Sequence, residues 1–378
     1  MEAVYIMGNN IKVIANYLPQ YHVIPENNRW WGNGFTDWLA VKKAKPLFLG
    51  HNQPRVPLNN HYYSLDDVQE IKWQAELARK YGIYGFGIYH YWFSSDMNLL
   101  STPAELMLHN RDIKINFMFI WDNGSWIRTW SNVRFANTWA PKYDDVAHND
   151  NQSGILAELK YGDENDWKIH FEYLVRFFSD PRYIKLDNKP LFAFFQPSND
   201  FPTIKAMVAY WNELAKDYGF DGIICMTKDN WRGHNLDYRI RYSPFSPNTF
   251  CAGLQNKLNN ILCKKLKRIR SADYDSYWKY ILKDSKSAGK KTFLSGFVDF
   301  DDTPRRGKQA RMIKGASPEK FEKYIYKLMD ISQKQNKEYV FLTAWNEWGE
   351  GAYLEPDEDY GYQYLEALKR AVDKINNN

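Results

Sequence analysis

The stretch Phe341-Leu-Thr-Ala-Trp-Asn-Glu-Trp-Gly-Glu-Gly-Ala-Tyr-Leu-Glu-Pro356 decides how the rest of the chain is read. An apolar run ends abruptly at Trp345, and two carboxylates, Glu347 and Glu350, follow within five residues among Asn346, Trp348, Gly349 and Gly351. A buried strand that stops in a Gly-, Trp- and Glu-rich turn delivers acid chemistry to the rim of a sheet. Paired carboxylates between aromatic faces suit sugar cleavage: one group moves protons, the other attacks or steers, and flat rings wall the sugar.

Working outward, strands and helices alternate. Predicted strands cover Ile11–Tyr17, Ile83–Tyr89, Ile115–Trp121, Pro190–Gln196, Gly222–Thr227, Asp237–Tyr242, Lys291–Phe297 and Glu338–Trp345. Predicted helices cover Asp66–Tyr81, a short segment from Thr102-Pro103, Asp166–Phe178, 202–218, Asp273–Ser287, Ser317–Gln335 and Tyr360–Ile375. Only the stretch after the fifth strand lacks a clear helical pattern. Such alternation implies parallel pairing through crossovers. Eight units in 378 residues, with long βα loops after strands 1 and 3, fit an α/β (β/α)8 TIM barrel better than an open doubly wound sheet. No Gly-rich phosphate loop follows any strand. With no linker and no internal repeat, residues 1–378 are expected to form a single barrel domain.

Composition narrows the function. The net charge of +5 is a mild basic excess that does not predict nucleic-acid binding. The 15 Trp, 27 Tyr and 22 Phe are more rings than core packing alone explains, which suggests stacking surfaces; a large barrel core built with Phe and Tyr is the competing reading. Cys225, Cys251 and Cys263 form neither an even framework nor a metal-type spacing, as in a reducing compartment. Without a signal-peptide pattern or an apolar run of membrane-spanning length, the expected location is cytoplasmic. Lys264-Lys-Leu-Lys-Arg-Ile-Arg270 reads as a solvated helix face or a weak membrane-surface contact.

In a barrel, function lies at the C-terminal ends of the strands. There the first strand offers Tyr17, Gln20, Tyr21 and His22, and the long connection behind it adds Trp31. The second offers Tyr89, His90, Tyr91 and Trp92, and the third Trp121, Asp122, Asn123 and Trp126. The seventh gives Asp299, Asp301, Asp302 and Arg305, and the eighth Asn346, Glu347, Trp348 and Glu350. Recurring aromatics at strand ends, with carboxylates concentrated on the last two, indicate a cleft for an oligo- or polysaccharide. Candidate substrate contacts are Tyr17, Tyr21, His22, Trp31, Tyr89, His90, Trp92, Trp121, Asp122, Asn123, Trp126, Asp302, Arg305, Asn346 and Trp348. Bland readings stand beside them: Asn346 can cap a turn, His90 can be structural, and Glu350 can be a solvated turn residue. Asp299-Phe-Asp-Asp302 could ligate a divalent cation, but Asp302 near Arg305 looks more like an ion pair that orders a loop or clamps sugar hydroxyls. No metal and no cofactor are expected.

Several segments together resemble the WbsX-type proteins encoded with O-antigen and capsule synthesis genes and often labelled glycosyltransferases. They are Tyr17-Leu-Pro-Gln-Tyr-His22, Trp30-Trp-Gly32 with Gly34-Phe-Thr-Asp-Trp38, Tyr81-Gly-Ile-Tyr-Gly-Phe86 with Tyr89-His-Tyr-Trp-Phe93, Asp302-Thr-Pro-Arg-Arg306, and Trp345–Asp357. That family is similar to the endo-α-mannosidases of glycoside hydrolase family ninety-nine, which are (β/α)8 barrels with a matching Asn-Glu-Trp-x-Glu-Gly. The resemblance, over about residues 11–370, implies that Glu350 is the general acid/base. It implies that Glu347 is the second carboxylate, acting on the sugar's 2-hydroxyl or on the anomeric carbon. A retaining glycoside hydrolase acting on an α-linked surface glycan is the leading expectation; a glycosyltransferase of lipopolysaccharide or capsule synthesis is the alternative. One departure stands out. The family's Asn-Glu-Asn-Trp is Asn123-Gly-Ser-Trp126 here, so Gly124 replaces a glutamate, and a changed sugar subsite is expected.

Overall fold

The computed structural model describes residues 10–127, 155–196, 200–228, 236–244 and 269–377. Eight parallel strands form the centre: β1 (Lys12–Tyr17), β2 (Ile83–Ser94), β3 (Asn116–Trp121), β4 (Lys189–Phe194), β5 (Ile224–Lys228), β6 (Tyr238–Ile240), β7 (Thr292–Phe297) and β8 (Tyr339–Thr343). Each pairs with its sequence neighbour, and β8 pairs with β1 in the register Val13↔Val340 and Ile14↔Phe341, which closes the sheet into a barrel. Nearly every residue of β1, β3, β4 and β8 is buried, because helices cover the outside while side chains fill the inside.

The outer layer contains α1 (Val68–Lys80), α2 (Thr102–His109), α3 (Glu164–Phe178), α4 (Phe201–Asp217), α5 (Tyr274–Ser285), α6 (Pro318–Lys334) and α7 (Gln363–Asn376). Starts are set locally. Asp67, Asp163, Asp200, Asp273 and Ser317 each accept a backbone N–H in the first turn, which satisfies donors the helix leaves orphaned. In α7, Leu365, Leu368, Ala371, Val372 and Ile375 recur at helical spacing, and this stripe is buried. Among the described residues no helix separates β5 from β6. The basic run 264–270 lies outside the described residues except for its last two positions, as do Cys251 and Cys263; Cys225 is a buried free thiol.

The aromatic excess mostly builds core rather than open stacking surface. Tyr17, Tyr21, Trp121, Trp345 and Trp348 are all fully buried. Tyr17 packs on Phe86 and Trp121 on His170 and Phe194, whereas Tyr21 and Trp348 pack on Trp38 of the long connection after β1, whose short helices are Pro25–Trp31 and Trp38–Lys43. No described helix is long and apolar enough to cross a membrane.

Candidate active site

At the C-terminal end of β8 the chain turns back as a small hairpin, pairing Asn346 with Tyr353 and Glu347 with Ala352. A single 3-10 turn, Trp348–Glu350, joins the two arms, and Gly351 closes it in the left-handed conformation (φ 61°). In a 3-10 turn residues three apart eclipse one another, so Glu347 and Glu350 face the same side. Asn346 fixes the hairpin to the end of β1: its Oδ1 accepts from Leu18 N at 2.7 Å and its Nδ2 donates to Leu18 O at 3.0 Å. Tyr21 adds a brace by donating to Asn346 O at 2.6 Å.

Both glutamates reach one guanidinium. Arg305 Nη1 donates to Glu350 Oε1 at 2.9 Å, and Nη2 lies 3.5 Å from Glu347 Oε2. The other edge of Arg305 holds Asp37, with Nε to Oδ1 at 3.2 Å and Nη2 to Oδ2 at 3.0 Å. Three carboxylates thus converge on one buried cation. Burial first, and then the charge of Glu350, pushes Glu347 up to about 8, with Arg305 pulling the other way and Asp37 adding to the rise. Burial and the neighbouring charges thus keep one proton on the Glu347–Glu350 pair. The Glu347 side chain is 7% exposed, against 25% for Glu350, so Glu347 is the deeper group and Glu350 the one nearer solvent.

These groups border a cavity of about 280 Å³. Tyr89, Tyr91, Phe195 and Tyr242 supply rings, and Asp122, Lys228 and Arg311 supply charge. The Tyr89 and Tyr242 hydroxyls meet at 3.0 Å. Lys228 Nζ lies 3.6 Å from the Phe195 ring centre and 4.0 Å from that of Tyr242. Burial pushes Asp122 up to about 6, opposed by the Lys228 charge and by the Gln196 amide.

Of the candidate residues, Tyr89, Asp122, Arg305, Glu347 and Glu350 line this cavity. The others support it from behind or pack elsewhere. Tyr17 donates to Gln74 Oε1 at 2.6 Å, and His22 Nδ1 meets Pro19 O at 2.9 Å. Trp31 packs on Phe35, and Trp126 packs edge-on against Tyr91 and Phe93. His90 meets His170 Nε2 to Nε2 at 2.9 Å, while Trp92 stacks on His170 at 4.3 Å. Trp121 donates to Trp92 O at 2.8 Å. Asn123 bridges to Gln196, donating to its carbonyl and accepting from its N–H. Trp348 is buried and donates through Nε1 to Glu355 at 2.6 Å.

The aspartates after β7 do not converge on a cation site. Asp299 pairs with Arg55 at 2.7 Å, Asp301 with His51 at 2.9 Å, and Asp302 with Arg306 at 3.0 Å. The arginine beside Asp302 is thus Arg306 rather than Arg305, whose guanidinium is turned toward Asp37. Among the described residues no group of three His, Cys, Asp or Glu side chains is arranged to hold a metal.

The sequence also carries residues of the site outside the candidate set. Asp37, which backs the cavity through Arg305, lies inside the Gly34–Trp38 segment, and the cavity residues Lys228, Phe195 and Tyr242 stand at or just beyond the ends of β5, β4 and β6, where the strand-end rule points. At Gly124 an added Cβ would lie 2.6 Å from Gln196 Nε2, so Gln196 occupies the room a side chain there would take.

A closed (β/α)8 barrel with acidic and aromatic side chains gathered at its C-terminal mouth is an architecture of carbohydrate-active enzymes. The chain belongs to the family described as "Glycosyltransferase WbsX", whose sequence model matches residues 13–368. It is 27% identical over 374 residues to the uncharacterised protein WxcX of Xanthomonas campestris pv. campestris, in two strains. The alignment takes in 95% of this chain and 49% of the relative, so the chain spans about half the length of the curated relatives it matches. In fold it is similar to the GH99 endo-alpha-mannosidase from Bacteroides thetaiotaomicron, with a TM-score of 0.56, 14% identity and 97% of each chain covered. A glycoside hydrolase-like protein aligns with a TM-score of 0.53 and 13% identity, over 98% of this chain and 96% of the other.

Proposed function

We propose that the protein is a retaining glycoside hydrolase that cleaves within an α-linked cell-surface glycan. The observation that supports this reading is the pair Glu347 and Glu350, carried on one turn, held by one guanidinium and facing an aromatic cavity. Glu350, nearer solvent, is placed to protonate the leaving oxygen and later to take a proton from water. Glu347, the less exposed of the two, acts from within the cavity on the sugar ring. There it removes the 2-hydroxyl proton as that oxygen closes on the anomeric carbon, or attacks the anomeric carbon itself. In the first route the C1–O bond to the leaving group breaks as the C1–O2 bond forms. Water then reopens the ring, giving its proton to Glu350, while O2 recovers a proton from Glu347. Two displacements give net retention. Either route needs one proton on the pair, carried by Glu350 as the leaving oxygen departs, and burial with the mutual charge of the two carboxyl groups keeps one there.

The family's own description favours a second reading, in which the acceptor is a sugar hydroxyl rather than water. Incubation with surface polysaccharide released from the producing cells, followed by mass mapping of fragments, separates the two. New reducing ends that vanish in Glu350→Gln, a loss of about 10²–10⁴-fold, are expected of the hydrolase. Intact polysaccharide together with consumption of an added sugar nucleotide would replace that reading with transfer.

A further inference from the structure

On the far side of the Trp345–Pro356 hairpin lies a second cavity, of about 500 Å³, larger than the one holding the glutamates. It opens between the segment 57–63, helix α1 and the chain leading into α7. We propose that this cavity is a non-catalytic binding site for sugar units of the glycan, outside the reacting site. The inference rests on the reading that the ligand is a carbohydrate.

The walls have the required chemistry. Tyr62, His61 and Trp73 are only partly buried, and Tyr362 is 38% exposed, so their rings are open to a ligand. They are also held in place. Tyr62 packs edge-on against Trp38 at 5.1 Å, with Lys42 Nζ 4.0 Å from its ring centre. His61 meets Trp73 at 4.8 Å and pairs with Glu70 at 2.9 Å. Rigid rings lose little entropy on binding, and their faces suit the C–H faces of a pyranose. Polar groups complete the site: the exposed Asn59 and Asn60 at its rim, and the Glu355 carboxyl in its wall. An apolar ligand would leave the Asn59 and Asn60 amides without use, whereas sugar hydroxyls match them. Volume agrees as well, since small-ligand cavities run from about 300 to 1,000 Å³.

The cavity shares a wall with the catalytic hairpin. Trp348, which lies between Glu347 and Glu350 in sequence, borders it and is tied to Glu355, whose carboxyl also accepts from Tyr63 at 2.8 Å and Gln74 at 2.9 Å. A glycan chain held there is anchored beside the site that cuts it.

Native electrophoresis in gels containing the released surface polysaccharide tests the assignment, with folding checked by circular dichroism. Wild type is expected to be retarded, and so is the double variant Glu347→Gln/Glu350→Gln, which leaves the polysaccharide uncut. Trp73→Ala and the exposed Tyr362→Ala are each expected to weaken retardation by about tenfold in apparent affinity. Wild type that is not retarded, or folded Trp73→Ala and Tyr362→Ala proteins retarded as strongly as wild type, would overturn the proposal. Retardation that depends on Trp73 without any cleavage of the polysaccharide would sink the proposed reaction and leave this site standing.

Discussion

Asp37 holds Arg305 by two hydrogen bonds along one edge of the guanidinium, and Arg305 Nη1 is thereby aimed at Glu350. The two partners come from opposite ends of the chain, the loop after β1 and the loop after β7. A planar fork gripped at two points cannot rotate, so Asp37 sets the geometry around the glutamates through Arg305, besides adding its own charge to the rise at Glu347. Asp37→Asn keeps the shape and removes the charge. It should lower kcat by about tenfold or more, because the guanidinium then drifts toward the glutamates and draws on the proton they need. Leaving part of a buried ion network unpaired should also cost about 2 kcal/mol, measurable by urea unfolding. Wild-type turnover in a folded Asp37→Asn protein would show that the fork positions nothing.

Gly349 is required by contact. A Cβ there would lie 2.5 Å from Arg305 Nε and 2.6 Å from Asp37 Oδ2, closer than real atoms approach. Gly349→Ala should therefore push the guanidinium away from the hairpin while leaving the barrel intact. Displacement of a catalytic group by about 1 Å costs on the order of 10²-fold, so that is the expected loss in kcat, with little change in melting temperature. A fall in stability matched by full specific activity in the remaining folded protein would contradict this account.

The barrel was legible because each strand, buried on both faces, reads as an apolar run bounded by breakers, and because helices alternate with strands. The site was legible only in part, and β2 shows why. Side chains alternate along a strand, so Tyr89 and Tyr91 face the cavity while His90 and Trp92 face α3, where His170 and Tyr173 pack on them. Strand-end position alone does not separate the two faces; the two-residue period does. Asp37 posed a different difficulty. Its role depends on a loop folding back across 268 residues to Arg305, and no local pattern encodes that approach. Asp302 pairs with Arg306, one turn on, rather than with Arg305.

The His90–His170 pair should make the fold acid-sensitive. Burial lowers His90 from 6.5 to about 3, and burial together with the His90 charge lowers His170. A histidine whose folded value is depressed contributes stability above its free value of 6.5, and that contribution is lost as pH falls from there toward 3. The cause is that the unfolded chain takes up protons the folded one refuses. The drop in urea midpoint between pH 7 and pH 4.5 should be smaller in His90→Phe/His170→Phe, whose rings still stack beneath Trp92. Equal drops in the two proteins would show that the pair does not set the acid limit.

The protonation of Glu347 bears on catalysis at the other end of the scale. Glycosidic cleavage by a carboxyl pair needs one proton, to be given to the leaving oxygen, and one basic carboxylate. A pair that has lost its last proton cannot protonate the leaving group, whichever oxygen carried it. With Glu347 raised to about 8, kcat/KM should fall as pH rises through about 8 in the free enzyme. The direction follows from the causes: burial holds the proton on, and the charges of Glu350 and Asp37 hold it more tightly. Asp37→Asn removes one of those charges, so its residual activity should begin to fall at a lower pH than that of wild type. A glycosidic substrate with a leaving group that departs without protonation, such as a dinitrophenolate, should show the alkaline limb weakened. If the limb stays in place in Asp37→Asn and is equally steep with both leaving groups, the titrating group is not Glu347.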